Sequence, residues 1–208
     1  GKCNNIVKSK KHIKKMIKDG VDIIDVGGES TRPGSQTVSV KNEWRRVQSV
    51  IKSFKKKYKK KLLSIDTRKS EIMISSIHCG ADIINDVSGF KFDNESLLKI
   101  NKYNVAKILH HMQGTPNTMQ INPKYKNVLL DVYDFFEQNI NKIKGNKIIL
   151  DPGIGFGKKL KHNLTLISKI SLFHSLGLPI LIGTSRKRFI NQISGNFDSK
   201  DRTGGTLA

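Results

Sequence analysis

Apolar residues in this chain fall into short continuous runs separated by longer stretches of helical periodicity, and the two kinds alternate along its length. The runs at 21–26, 62–65, 82–87, 105–109, 147–150 and 179–182 are rich in Ile, Leu and Val with little polar alternation, as expected of strands buried on both faces of a parallel sheet. Between them, residues 40–57, 69–79, 94–103, 125–144 and 164–176 place apolar side chains at helical spacing,. Alternation of strand and helix predicts a parallel α/β fold.

The polar residues decide between the two common versions of that fold. Each run ends in groups able to bind a ligand: Asp25, Asp66, Asn85 with Asp86, His110 with His111, Asp151, and Thr184 with Ser185. An open doubly wound sheet gathers its ligand at one switch point, whereas a closed barrel recruits side chains from nearly every strand end. The expectation is therefore a (β/α)8 TIM barrel, with about six of its eight strands visible. A barrel of this kind typically runs to about 250 residues, and this chain has 208. It reads as a single barrel domain over 1–208, truncated at both ends so that the first and last strands are missing.

Composition changes this picture little. The formal charge is +21, which by itself raises nucleic acid or an acidic membrane as a partner. The lysines, however, cluster at 8–18 and 52–61 among apolar residues at helical spacing, the pattern of solvated helix faces. No stacking platform or recognised nucleic-acid motif accompanies them. No specific nucleic acid and no membrane partner is expected. Only Cys3 and Cys79 are present, far apart and outside any zinc-ligand spacing, which argues against a disulfide scaffold and fits a cytoplasmic protein.

Two loops stand apart. IDVGGESTRPG (24–34) and ILDPGIGFG (149–157) each run from a β-branched strand into a carboxylate and then into closely spaced glycines. Such glycines are needed where backbone turns sharply or approaches a ligand. The stretch carrying Thr31 and Arg32 is too long and too rich in Gly and Pro for a minimal strand-to-helix turn, and reads as a mobile loop that closes over substrate.

In order along the chain, IDVGGESTRPG, SIDTRK (64–69), ADIINDVSG (81–89), HMQGTPNTMQ (111–120), LDPGIGFGK (150–158) and GTSRK (183–187) resemble the successive signatures of the dihydropteroate synthases. Six ordered motifs carry far more weight than one Gly-rich loop. The resemblance implies a transferase of folate biosynthesis. It would condense 6-hydroxymethyl-7,8-dihydropterin pyrophosphate with p-aminobenzoate to give dihydropteroate and pyrophosphate, with magnesium as cofactor and sulfonamides as mimics of p-aminobenzoate. A homodimer is implied for the full-length protein.

The same resemblance distributes roles. Asp66, Asn85 and Asp151 would grip the pterin, whose guanine-like edges suit carboxylates that accept paired N–H bonds and an amide that both donates and accepts. Met112 would line the pterin pocket, and Lys187 would direct its cation at the ring; Lys187, Asp66 and Asp151 are the candidate catalytic residues. Thr31 and Arg32 would lie near p-aminobenzoate and the departing pyrophosphate, Phe156 would wall the aminobenzoate ring, and Arg188 would face its carboxylate or solvent. No metal ligand is visible, because the family's magnesium-linked asparagine would precede residue 1. His110 stands at a position usually apolar in relatives, either as a tuned pocket residue or as a tolerated, hydrogen-bonded replacement. Two other readings remain open: a methyltetrahydrofolate-binding domain of a corrinoid methyltransferase, and a non-catalytic pterin-binding remnant.

Overall fold

The computed structural model describes residues 5–32, 35–185 and 187–195. Helix α1 (Ile6–Lys18) precedes strand β1 (Ile23–Gly27), and the alternation continues through α2 (Val40–Lys57), β2 (Leu62–Asp66), α3 (Ser70–His78), β3 (Ile83–Asp86), α4 (Ser96–Ile100), β4 (Ala106–His110), α5 (Val128–Ile140), β5 (Ile148–Asp151) and α6 (Leu160–Ser168). A 3-10 turn (Ile170–Leu176) and α7 (Arg188–Ser194) follow. The strands stand in sequence order, β1-β2-β3-β4-β5, in one sheet, with β1 and β3 parallel to β2 on its two sides. This is the α/β architecture expected from the alternation.

One expected strand is absent as such. Residues 179–182 pair with β5 through a single bridge, Leu150 to Ile180, held by bonds from Leu150 N to Pro179 O and from Leu181 N to Leu150 O, both 2.8 Å. Proline offers the ladder no N–H, and the described residues therefore contain five strands rather than six. The helix expected over 164–176 also divides: α6 ends at Lys169 (φ −116°, ψ 22°) and the chain continues as a 3-10 turn that buries Phe173.

The chain forms two compact units, one of residues 1–31, 36–108 and 143–147, the other of 32–35, 109–142 and 148–208. In the first, α2 shows why the sequence folds as it does. Ser39 caps the helix by accepting a bond from Asn42 N, Glu43 lies in the first turn and Lys55, Lys56 and Lys57 in the last, each charge at the end its macrodipole favours. Val47, Val50, Ile51 and Phe54 form the buried stripe, and Leu63, Ile65 and Ile84 of the neighbouring strands are almost fully buried.

The 52–61 lysine run is not wholly a solvated face. Lys55 Nζ meets Asp82 Oδ2 at 2.9 Å, the same oxygen that accepts Leu63 N at 2.8 Å, and Lys61 Nζ donates to Val21 O at 3.0 Å. These lysines tie the start of β2 to the turns beside it. The second unit has its own core, in which Val132 and Phe136 of α5 are buried with Leu150, Leu166 and Phe173, and Phe136 meets Phe173 edge-on at 5.5 Å, a favoured aromatic geometry.

Candidate active site

In the first unit the polar residues lie at the carboxyl ends of β1, β2 and β3. The parallel register sets Asp25 beside Ser64, Gly27 beside Asp66 and Asp66 beside Asn85. Side chains alternate along a strand, so Asp25, Ser64, Asp66 and Asn85 share one face while Ile24, Leu63, Ile65 and Ile84 fill the other. Glycine at 27 leaves room for this arrangement: a Cβ there would come within 3.3 Å of both Asp66 Cβ and Asp66 Oδ2, so Asp66 would have to give by a few tenths of an ångström.

Burial raises the Asp66 carboxyl well above the ordinary carboxylate range, the charges of Asp25, Asp86 and Glu43 raise it further, and Arg68 opposes them. Part of the residue still meets solvent. Asn85 Oδ1 is buried and has no hydrogen-bond partner among the described residues. An acceptor left in that state loses free energy until a donor reaches it. Asp86 differs from both. Its Oδ1 accepts Ser88 N at 2.7 Å and Ser88 Oγ at 2.6 Å, and burial pushes its carboxyl up to about 6 despite those bonds. It shapes the turn after β3.

In the second unit, β4 and β5 end side by side through the bond from His111 N to Asp151 O at 2.9 Å. Asp151 Oδ1 accepts Gly153 N at 2.8 Å and so starts the glycine loop, while Oδ2 lies 3.9 Å from His110 Nε2. Gly153 has φ +67°, and a Cβ on it would stand 1.9 Å from His111 O; only glycine fits. His110 meets the Phe156 ring edge-on at 4.5 Å. Lys187 Nζ stands 4.2 Å from the centre of the same ring, within cation–π range. Burial lowers the Lys187 ammonium below its ordinary value, with Asp151 drawing it part of the way back.

Lys158, which closes the LDPGIGFGK motif, is the residue whose importance the sequence hid. It is buried, and its Nζ contacts His111 Nδ1 at 2.9 Å and donates to Gly153 O and Phe156 O at 3.0 Å and to His111 O at 3.3 Å. Burial pushes its ammonium down to about 7, and the nearby Lys187 charge adds to the shift while Asp151 opposes it. Around this clamp, Asn163 Oδ1 accepts Gly155 N at 2.7 Å, Gln120 Nε2 donates to Gly155 O at 2.9 Å, and Tyr125 Oη donates to Gly157 O at 2.8 Å. The glycine loop is thus held from several sides without a regular element of its own.

The whole chain, residues 1–208, matches the pterin binding enzyme family. It is 40% identical over 213 residues to the dihydropteroate synthase of Escherichia coli strain K12, an alignment covering 100% of this chain and 74% of that protein. The chain belongs to the dihydropteroate synthase family. Against the corresponding enzyme of Clostridium beijerinckii the identity is 42%, covering 100% of this chain and 76% of that one. Among solved structures, a Yersinia pestis dihydropteroate synthase in complex with a sulfonamide drug superposes with a TM-score of 0.94 at 37% identity, covering 99% of this chain and 75% of that one. The Clostridium difficile synthase in the presence of pteroic acid gives 0.90 at 36%, covering 100% and 78%. The fold class is that of the dihydropteroate synthase barrels, and the activity is that of a transferase in folate biosynthesis.

Within this synthase the structure brings the sequence-chosen residues into two groups, Asp66 with Asn85 in the first unit and Asp151, Phe156 and Lys187 in the second. Met112 is half-buried just after β4, Thr31 is half-buried, and Arg32 and Arg188 are exposed, Arg188 opening α7. The carbonyl of Arg32 accepts Ser35 N at 3.1 Å and Ser35 Oγ at 2.7 Å. Pro33, Gly34 and Arg186 lie outside the described residues, as does Cys3. Lys158, Asn163, Gln120 and Tyr125 were missed as site residues. A Lys ending a glycine-rich motif was the available signal, and in so basic a chain it did not stand out.

Proposed function

We propose that this synthase holds the pterin of 6-hydroxymethyl-7,8-dihydropterin pyrophosphate through Asp66, Asn85, Asp151 and Lys187 and joins it to p-aminobenzoate. The observation that carries the reading is the pairing of Asp66 with Asn85 on one face of β2 and β3. A carboxyl whose ionised form is disfavoured stands beside a buried amide oxygen without a partner. Adjacent N–H donors on a pterin edge would satisfy both, ionising Asp66 in the process. The ligands of solved relatives support the same chemistry: p-aminobenzoic acid on the Xanthomonas albilineans enzyme, pteroic acid with the Clostridium difficile one.

Electrons and atoms balance without an enzyme nucleophile. The bond between the pterin methylene carbon and the pyrophosphate oxygen breaks, and its electron pair leaves with pyrophosphate. The aniline nitrogen supplies the pair for the new C–N bond, then gives its extra proton to solvent. The chain's part is positioning and charge stabilisation. Lys187, held over Phe156, presents a cation to the pterin; the far side of Phe156 supports the aminobenzoate ring. Thr31 and Arg32 serve p-aminobenzoate and pyrophosphate, Met112 lines the pterin pocket, and Arg188 pairs with the aminobenzoate carboxylate.

Magnesium accompanies the family resemblance, yet among the described residues no group of three or more His, Cys, Asp or Glu is placed to hold a metal. We keep magnesium as the proposed cofactor on the resemblance, held with the help of the pyrophosphate oxygens rather than by a cluster of side chains, and no residue role above depends on it. A cytoplasmic homodimer is the proposed working form, the dimer on the resemblance and the compartment on the two cysteines lying far apart in the sequence,. No described helix is long and apolar enough to cross a membrane. The deciding experiment is calorimetric binding of a pterin to the full-length enzyme and to its Asp66→Asn variant, with p-aminobenzoate-dependent pyrophosphate release measured alongside. Unchanged pterin affinity in the variant would overturn the assignment of the pterin to Asp66.

A further inference from the structure

The loop that carries Thr31 and Arg32 leaves β1 at Gly27 and reaches α2 at Val40, and its two ends are fastened to each other by one side chain. Glu29 is buried, and both of its oxygens are engaged. Oε1 accepts Val38 N at 2.7 Å and lies 3.2 Å from Lys69 Nζ; Oε2 accepts Arg68 Nη2 at 2.7 Å and Nε at 3.3 Å. Burial alone would raise this carboxyl, but Val38, Arg68 and Lys69 together hold it below its ordinary value.

The latch extends outward. Lys69 Nζ also donates to Glu43 Oε2 at 2.6 Å, and Glu43 Oε1 accepts Thr67 Oγ1 at 2.6 Å. Arg46 Nη1 donates to Gly28 O at 2.9 Å, and a Cβ on Gly28 would stand 2.8 Å from Glu43 Cγ and 2.9 Å from Val47 Cγ1. The loop base is therefore pressed onto α2 and bonded through Glu29 to Arg68 and Lys69 in the turn after Asp66, while Thr67 of that turn is bonded to α2 through Glu43. Arg68 is fixed further by the Phe92 ring, 4.1 Å from its guanidinium carbon.

We propose that Glu29 is a positioning residue for the second substrate: it joins the stretch just after β1 to Val38 just before α2 and ties both to the turn after Asp66, so that Thr31 is presented from a fixed stem. This rests on the reading that the loop serves p-aminobenzoate. A cluster needed only for folding would pair its charges equally well, so the distinguishing geometry is the bond to Val38 N, which joins one end of the loop to the other. Glutamine at 29 keeps an acceptor for that amide but turns an NH2 towards Arg68 and Lys69; alanine removes every bond.

The test uses the full-length enzyme with Glu29→Gln, Glu29→Ala and, as a milder change at the same stem, Arg46→Ala. Steady-state kinetics, pterin affinity and hydrogen exchange at Val38 and in β2 are read together. In Glu29→Ala the expected result is a rise of roughly tenfold or more in KM for p-aminobenzoate, since misplacing a substrate-positioning group by about 1 Å can cost that much. Pterin affinity changes by less than about threefold. The Val38 amide exchanges faster while Leu63 and Ile65 keep their protection, with Glu29→Gln between alanine and wild type and Arg46→Ala shifted in the same direction. Equal losses for both substrates, following the fall in melting temperature, would reduce Glu29 to a structural residue. Faster Val38 exchange with an unchanged KM would also overturn the proposal. If Glu29→Ala does not fold, the ordering of Glu29→Gln and Arg46→Ala decides. An Arg32→Ala enzyme with normal KM for p-aminobenzoate would instead sink the reading of the loop itself.

Discussion

Replacing Lys158 by Met should remove from the stability of the enzyme a pH dependence that identifies the buried ammonium. Methionine has a similar length and no charge, so the change removes the bonds to His111, Gly153 and Phe156 while keeping the space filled. Each carbonyl left without a donor costs about 1–3 kcal/mol, and release of a buried charge offsets part of that. The pH dependence does not rely on the balance. The ammonium is held at about 7 in the fold against an ordinary value near 10.4 unfolded. Between those limits the unfolded chain binds the extra proton, so stability rises with pH by up to about 1.4 kcal/mol per unit. The contribution is complete above the unfolded value, and falls away as pH drops through the folded value. Over the whole window it amounts to about 5 kcal/mol. Urea unfolding of wild type and Lys158→Met at pH 7, 8, 9 and 10 should show wild type gaining on the variant at each step, with titrating groups distant from Lys158 cancelling in the difference. A difference constant across that range would refute the buried, depressed ammonium and with it the clamp on the glycine loop.

Other substitutions test the remaining parts. Asp66→Asn should weaken pterin binding by roughly tenfold to a hundredfold, the worth of a charge-assisted bond. In wild type, affinity should be complete above the raised Asp66 value and fall as pH drops through it; calorimetry on the variant should find that dependence gone. Gly153→Ala should lose about 3 kcal/mol or more in urea unfolding, because its Cβ would collide with His111 O in a left-handed backbone,. Phe156→Leu should raise KM for p-aminobenzoate several-fold and remove a cation–π contact with Lys187 worth about 0.5–2 kcal/mol, with KM and thermal unfolding as the readouts.

The elements were legible where burial dictates the sequence locally. A strand covered on both faces must be a continuous apolar run, and β1 to β5 fall within one or two residues of the runs that announced them; α2 has the bounds its periodicity predicted. The run at 179–182 has the same composition, but pairing depends on neighbouring strands, which composition does not encode, and it forms one bridge. The site was legible for a different reason. Asp66, Asn85, Asp151, Phe156 and Lys187 sit in short ordered motifs at strand ends, and around Asp151 and Phe156 the glycines also limit what the backbone can do. Lys158 carries the same letter as many surface lysines, and glutamates such as Glu29 and Glu43 are ordinarily exposed, so only the fold shows that they are buried and bonded.

That difference bears on how a chain of such high positive charge can run a site for an anionic substrate. Net charge acts at long range through solvent and is screened within about 8 Å at physiological salt. What governs the strand ends is desolvation, and it moves acids and bases in opposite directions: Asp66 and Asp86 upward, Lys158 and Lys187 downward. In each case burial is the largest cause, and a bound group able to pair with the charged form would reverse the shift. N–H donors brought to Asp66 would restore its carboxylate, and acceptors brought to Lys187 would restore its ammonium. Part of the binding free energy is therefore stored in the unliganded residues as disfavoured charge, and removing the charge should lower affinity without requiring any change in shape.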